Sequence, residues 1–456
     1  MTYSIKFPMT GAAWTIGAYG VGQLIRLVTN VILTRLLAPE LFGIMLIVYS
    51  LRTGLALISD IGIGQNIVYN KNADDPNFYN TAWTLENIRN AVLWLICLAI
   101  AAPLAEFYQS PALVSILPIT ALSLLFTSLS STSRYLLQKR MKLAELNLFE
   151  TIIAFITSVA HVVLAYFSPT IWALVFGGLI GSAASMVGSY FLEADVKQKF
   201  VITRRYAWEI LHFGKWIFLS SIVYFLSMNF DRLYLAKVVP LELLGIYGIA
   251  RSISELLSLL FMRVGNIVLF PFIASHSQRP RPELRGQLSL LRARVLFLIA
   301  VGFSLIVAVA DLAIKLLFDA RYQAASWMLP VLIIGSWFSI LASLNESMLL
   351  GLGKPSYGAI SNGLKFGFLL IGLPLSVGAA GVVGGVMVIA LSDLCRYIPI
   401  IIGQIRERLS FGMQDLLITL AMFPMIGLLE WLRWNFGFGT SFDSLPLGTA
   451  WLFSPT

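Results

Sequence analysis

The sequence predicts an all-α polytopic membrane protein. It reads as two six-helix bundles related by a parallel pseudo-two-fold, with one or two further helices at the C-terminus. Three observations carry this. Of 456 residues, 58% are hydrophobic and only 12% are charged, against about a quarter charged in soluble proteins. That leaves too little polar surface to cover a water-soluble globule. Apolar runs long enough to cross a bilayer, roughly 20 residues each, recur along the whole chain. Finally, the turn NVILTRLLAPELFGI at 30–44 returns as RLYLAKVVPLELLGI at 232–246.

Taken in order, the apolar runs fall near 11–37, 41–62, 83–106, 112–136, 147–167, 170–192, 212–236, 242–267, 290–318, 325–350, 356–377 and 380–403. A thirteenth lies near 413–432. The stretch 433–456 is aromatic but broken by Gly and Pro, and its form stays open: a fourteenth span, an interfacial segment or a loop. The domains expected from this pattern are 1–200, 205–405 and an extra helix and tail over 410–456.

Basic residues set the orientation. With the N-terminus inside, the connections after even-numbered spans carry Arg134, Lys139, Arg140 and Lys142, then Lys197, Lys199, Arg204 and Arg205. Arg279, Arg281, Arg285, Arg292 and Arg294 follow, and then Arg406 and Arg408. The opposite connections EFYQSP, FSPT and GAAG hold no Lys or Arg. Cytoplasmic loops of inner-membrane proteins are rich in Lys and Arg, so the N-terminus is expected in the cytoplasm of a bacterial inner membrane. The same rule accounts for the net charge of +9 without a nucleic-acid partner. Cys97 and Cys395 sit in apolar runs, which speaks against a disulfide framework. The first apolar stretch is long, holds Arg26 and lacks an A-x-A site, so it is not expected to be a cleaved signal.

The repeat is specific. At an offset of 202 residues, Leu33, Glu40, Leu41, Gly43 and Ile44 match Leu235, Glu242, Leu243, Gly245 and Ile246. Arg35 meets Lys237, and Trp14 meets Trp216. Leu and Ile matches are common between apolar segments; Glu, Gly, Trp and basic matches are not. Six spans separate the copies, so both run in the same direction. A parallel repeat about the membrane normal is a transporter signature, and it implies two bundles facing each other across a central cavity.

The first copy spells N-x-x-x-T-R-x-L-x-P-x-x-F-G through Asn30, Thr34, Arg35, Leu37, Pro39, Phe42 and Gly43, followed by SDIGIGQNIV at 59–68. With GKWIFLSSIVYFLSMNFDRLYLAKVVPLELLGIYGIARS at 214–252, this resembles the Wzx-like polysaccharide flippases of the multidrug/oligosaccharidyl-lipid/polysaccharide exporter superfamily, over roughly residues 8–405. Members of that family usually have 12 or 14 spans, so an apparent thirteenth departs from it.

Ionisable side chains inside spans cost several kcal/mol and normally face protein or a wet cavity. Arg26, Arg52, Arg251 and Lys365 lie deep in spans 1, 2, 8 and 11. They suggest a cationic cavity for a phosphate-rich headgroup, to which the planar Arg fork is suited. The alternative is structural pairing: Arg251 with Glu255 and Asp311 with Lys315 are each four residues apart, as helix-face ion pairs require. Asp60, Glu86, Asp231 and Asp393 are candidates to bind a coupling cation, although Asp231-Arg232 also reads as a local pair. His161 reads more readily as a helix-packing residue than as a proton relay. The tryptophans divide between interface anchors and cavity walls.

The resemblance implies a substrate, an undecaprenyl-diphosphate-linked oligosaccharide, with Arg26, Arg52 and Arg89 lining the first bundle and Arg232, Arg251 and Lys365 the second. It also implies membrane lipid, H+ or Na+ and a polysaccharide polymerase as partners. No phosphate-cradling G-x-x-x-x-G-K-[ST], metal-ligand cluster or triad-like arrangement occurs, so no cofactor and no enzyme activity are expected. Three rivals remain: a lipid II-type flippase, a multidrug/cation antiporter whose lumen should be acidic, and a membrane glycosyltransferase or polymerase, which usually needs a sizeable external loop.

Overall fold

A computed structural model describes residues 9–446, apart from Ile61, Met141, Ala194, 266–268 and Ser277; side chains at 9–16, 18, 213–220 and a few later positions, among them Arg263, also lie outside the described residues, so Trp14 and Trp216 are not placed. Among the described residues the secondary structure is helical and holds no strand. Two compact units result. The first comprises residues up to Phe225 with Ala236–Glu242; the second comprises Leu226–Leu235 and everything from Leu243.

The first unit contains α1 (Met9–Leu36), α2 (Pro39–Ile58), the short α3 (Ile63–Tyr69), α4 (Pro76–Phe107), α5 (Leu113–Leu129), the short α6 (Ser133–Lys139), α7 (Leu143–Phe167) and α8 (Ile171–Ser189). Then come α9 (Arg204–Val238), α10 (Leu241–Val264), the short α11 (Phe270–Ser275), α12 (Arg281–Leu317), α13 (Ala325–Gly351), α14 (Ser356–Arg406) and α15 (Gly412–Asn435). Among the described residues, eight of these are long and apolar enough to cross a membrane, or nine if the bent α5–α6 pair is taken as one span. α14 is two limbs: the chain leaves helical geometry at Ala380 and at Gly381, where φ is 59° and ψ −149°. That region is open only to Gly. A hairpin therefore forms at the predicted GAAG connection.

The repeated turn has the same form in both copies. α1 ends at Leu36 and α2 begins at Pro39, while α9 ends at Val238 and α10 begins at Leu241, the same 202-residue offset. Pro39 occupies the first turn of α2, where its missing N–H costs no hydrogen bond. Arg35 and Lys237 lie in the last turns of α1 and α9, where positive charge complements the helix dipole. After each second helix comes a short one, α3 or α11. Each builds a small core: Ile63, Ile67, Phe78, Leu136 and Ile210 in the first unit, and Ile273, Leu284, Met348, Leu409 and Phe411 in the second.

The short helices escape a search for 20-residue apolar runs, and they explain where the predicted spans differ. The run at 41–62 breaks at Ser59. Asp60 Oδ1 there accepts the Gly62 N–H at 2.9 Å, and Gly62 takes φ 66°. The run at 112–136 bends by 56° between α5 and α6. A break inside a membrane must have its freed carbonyls satisfied. Asn87 Nδ2 donates to Ser128 O at 3.0 Å, Tyr190 Oη to Leu129 O at 2.6 Å and Trp83 Nε1 to Ser130 O at 3.0 Å.

In the second unit α13 is the central helix, with 83% of its apolar window buried against 11% for α14. Gly335 sets its closest approach. A Cβ there would sit 2.6 Å from both Cα and O of Ala390, and backbone cannot yield cheaply. Gly335→Val should cost roughly 1–3 kcal/mol through overpacking, read as a lower melting temperature of the purified protein. Gly363→Ala meets nothing within 4 Å and should be near neutral. Equal melting of the two variants would refute the close-packing account.

Candidate functional site: arginines within the helices

The charged residues separate by unit. In the first, Arg52 lies within two turns of the end of α2. Its Nη1 donates to Ser123 Oγ of α5 at 2.7 Å, and its guanidinium carbon sits 5.6 Å from the Tyr49 ring centroid. Among the described residues no carboxylate lies within ion-pair distance of it. Arg26, near the middle of α1, likewise has no partner among the described residues and is exposed. Its face of the helix decides how that exposure reads. Val21, Leu24, Val28 and Ile32 form one exposed apolar stripe, as lipid contact requires. Arg26 points to the opposite side, in register with buried Leu33 and Leu37 at helical spacing.

Arg89 does something else. Its Nε donates to Ser59 Oγ at 3.0 Å and its Nη2 to Ala56 O at 2.6 Å. It thus caps the C-terminal carbonyls of α2, groups that every helix end leaves unsatisfied. Glu86 lies within electrostatic reach of Asp60, Arg89 and Arg134 and hydrogen-bonds Tyr135, which in turn lies within reach of Asp60. One half-buried polar cluster therefore gathers three of the residues selected from the sequence.

In the second unit the same kinds of residue are paired. Arg251 lies 3.0 Å from Glu255 and 3.5 Å from Asp231, and Arg232 lies 2.5 Å from Glu255. Tyr247 Oη donates to Asp231 Oδ2. Asp231 and Arg232 are thus not a local pair: consecutive helical residues diverge, and each finds its counter-charge on α10. Lys365 is 2% exposed and lies 2.8 Å from Asp393. Two residues expected in separate roles, substrate cation and coupling acid, are therefore bonded to each other. Arg251 and Arg396 lie within electrostatic reach of Asp393, and Arg396 pairs with Glu346 at 2.6 Å. Four cations meet four carboxylates here, which leaves the cluster neutral.

The helix-face pairs Arg251–Glu255 and Asp311–Lys315 form as the spacing suggested, the latter at 3.0 Å. Asp311 also takes Arg433 of α15 at 2.6 Å, a partner in the segment whose form the sequence left open. His161 packs between helices: its Nε2 lies 3.1 Å from Leu174 O, and its ring closes on Gly177. Arg292, counted from sequence as a loop residue, is buried in α12, 2.6 Å from Asp415. Ser123, Tyr49, Tyr247, Asn345 and Asp415 escape the sequence reading. Only Tyr247 had a local signal, four residues before Arg251. Trp83 and Trp337 are buried, Trp208 is exposed, and no group of three metal-ligating side chains occurs among the described residues.

Away from the spans, Lys139 and Arg140 each lie 2.9 Å from Asp74. Their hydrogen bonds hold the Asp74 carboxyl below its ordinary pKa. Arg140 and Lys142 also meet Glu193, at 2.7 and 3.5 Å.

Comparison with known proteins agrees with this architecture. The chain is similar to the teichuronic acid biosynthesis protein TuaB of Bacillus subtilis, 26% identical over 306 residues, covering 65% of this chain and 62% of that protein. It is also similar to the succinoglycan biosynthesis transport protein ExoT of Rhizobium meliloti, 23% identical, covering 86% of this chain and 78% of that protein. The matched stretch spans less than two thirds of TuaB and of two further relatives, the amylovoran biosynthesis protein AmsL of Erwinia amylovora and the lipopolysaccharide biosynthesis protein WzxC of Escherichia coli. Among solved structures, the lipid II flippase MurJ in an inward closed conformation superposes with a TM-score of 0.73 over 93% of both chains, at 13% identity. A multidrug resistance MATE family transporter of the MOP superfamily, in an inward-facing conformation, gives 0.64 over 87% of this chain and 98% of its own, at 14% identity. These likenesses show the fold. The family described as "Polysaccharide biosynthesis protein" matches residues 32–326, more than half of the chain, and the chain belongs to that family.

Proposed function

We propose that this protein is a flippase that carries an undecaprenyl-diphosphate-linked oligosaccharide across the bacterial inner membrane by alternating access, with its N-terminus in the cytoplasm. One observation carries the reading: Arg26 and Arg52 lie within long helices of the first unit with no carboxylate beside them among the described residues, whereas Arg232, Arg251, Lys365 and Arg396 of the second unit are neutralised. An uncompensated guanidinium at this depth calls for an anion to complete it, and a diphosphate offers the bidentate geometry that Arg favours. The relatives named for polysaccharide biosynthesis and transport support the sugar part.

The substrate assignment therefore narrows to Arg26 and Arg52. Arg89 holds the end of α2, while Arg232, Arg251 and Lys365 belong to a neutral network that stiffens the second unit. Asp60 and Glu86, sharing one half-buried cluster, are the better pair for a coupling proton or Na+. Asp231 and Asp393 already have cationic partners. A polysaccharide polymerase is the natural consumer of the product. The surplus of positive charge disfavours a cationic drug as cargo.

Full-length protein in proteoliposomes tests this. A polyprenyl-diphosphate oligosaccharide placed in the outer leaflet should become protected from an external glycosidase, and a lipophilic cation should not accumulate. Movement of the cation but not of the diphosphate would overturn the reading in favour of the antiporter.

A further inference from the structure

The connection from α8 into α9 is not a slack tether. The Lys199 N–H donates to Asn80 Oδ1 at 2.8 Å, Val201 N–H to Thr84 Oγ1 at 3.1 Å and Thr203 N–H to Thr81 Oγ1 at 3.1 Å. Alternate N–H groups thus fasten the segment along the first turns of α4. Gln198 Nε2 adds bonds to Ser131 Oγ at 3.2 Å and Thr132 Oγ1 at 2.9 Å. The strap turns large apolar groups outward: Phe191 is 82% exposed, Phe200 69%, Ile202 58% and Trp208 72%. Lys197, Lys199, Arg204 and Arg205 are exposed among them, and none has a carboxylate within ion-pair distance among the described residues. This contrasts with Lys139, Arg140 and Lys142 near by, which Asp74 and Glu193 neutralise.

We infer that Phe191 and residues 195–211 form a docking surface for anionic phospholipid of the surrounding leaflet. The order of side chains along α9 favours lipid over a protein partner. Arg204, Trp208 and Leu211 are exposed at spacings of four and three, so they line one face of the helix as it enters the membrane. That sequence matches headgroup, interface and acyl chain in depth, as charged, aromatic and aliphatic residues distribute at bilayer surfaces. Basic residues beside such a surface draw acidic headgroups. The assignment of this face to the cytoplasmic leaflet rests on the orientation proposed above; lipid binding itself does not.

Native mass spectrometry of the purified full-length chain, with phosphatidylglycerol or phosphatidylcholine added, tests the inference. The native protein should retain phosphatidylglycerol in preference. The variant K197Q/K199Q/R204Q/R205Q should lose that preference by about tenfold or more. K139Q/R140Q, at cations already paired, should keep it. Arg52→Ala should also keep it, so failure of the transport reading and failure of this one are separable. Should the quadruple variant misfold, raising salt to about 0.5 M, where screening shortens to below about 5 Å, must strip phosphatidylglycerol from the native chain. Equal retention of both lipids, or retention that salt leaves unchanged, overturns the inference.

Discussion

On the proposed transport function, Arg52→Ala should abolish export of the lipid-linked oligosaccharide while the amount of folded protein in the membrane stays at the native level. Both halves of this expectation come from the surroundings of the side chain. Among the described residues no carboxylate pairs with Arg52; its Nη1 donates to Ser123 Oγ, which itself donates to Thr120 O at 2.7 Å. Removing the guanidinium therefore orphans no buried charge. Lys365→Ala differs, because it would strand Asp393, 3% exposed, and would damage folding whatever its role in transport. If Arg52 meets the diphosphate, truncating it should cost roughly 2–5 kcal/mol of substrate binding, a loss of about 30-fold to several thousand-fold. Arg52→Lys restores the charge but not the planar fork, so partial activity is expected. Ser123→Ala frees the guanidinium and should cost only about 1 kcal/mol. The readout is accumulation of undecaprenyl-linked sugar in cells, with membrane levels of each variant measured in parallel. Normal export by the Ala variant removes Arg52 from the substrate path.

The fold was largely legible in the sequence because a bilayer imposes one length on every span and a duplication imposes one offset. The turn at Ala38-Pro39 could be located twice without a structure. Helices of six or seven residues are shorter than any span, so α3, α6 and α11 had no signal of their own. The SDIGIGQNIV stretch, read as a family mark, is the turn that Asp60 and Gly62 make before α3. Ion pairs were legible only along one helix, where spacing places partners together. Arg251–Glu255 and Asp311–Lys315 could be read that way; Lys365–Asp393, Arg396–Glu346 and Arg232–Glu255 join different helices or limbs and could not. This is why Arg232, Arg251 and Lys365 read as a cationic lining from sequence and form part of a neutral cluster in space. A count of charges in spans cannot separate a lone arginine from a paired one, and Arg52 stands out only once its neighbours are placed.

The last helix of the second unit is held by a second set of such pairs. Arg292 and Asp311 lie on α12, with Asp415 and Arg433 on α15, and the pairs form in that order at 2.6 Å each. The two helices therefore run parallel, pinned at points roughly 28 Å apart by helical rise, close to the thickness of the hydrocarbon layer. The first pin is a network. Asn345 Nδ2 and Tyr397 Oη both donate to Asp415 Oδ2 at 2.8 Å, and Arg292 Nη2 donates to Asn345 Oδ1 at 2.9 Å. The side chains of Arg292 and Asp415 are 4% and 2% exposed. Asp415→Ala should therefore destabilise the purified protein by about 3–5 kcal/mol, because it leaves a buried guanidinium without its counter-ion. Replacing both partners, Arg292→Met with Asp415→Leu, removes the stranded charge and should recover most of that loss. Thermal unfolding of the single and double variants decides the matter. A double variant no more stable than Asp415→Ala would mean that the carboxylate supports α15 through Asn345 and Tyr397 rather than through Arg292. Transport by the double variant then reports on role: α15 carries no unpaired cation comparable to Arg52, so if it serves only to brace α12, export should persist wherever folding is restored.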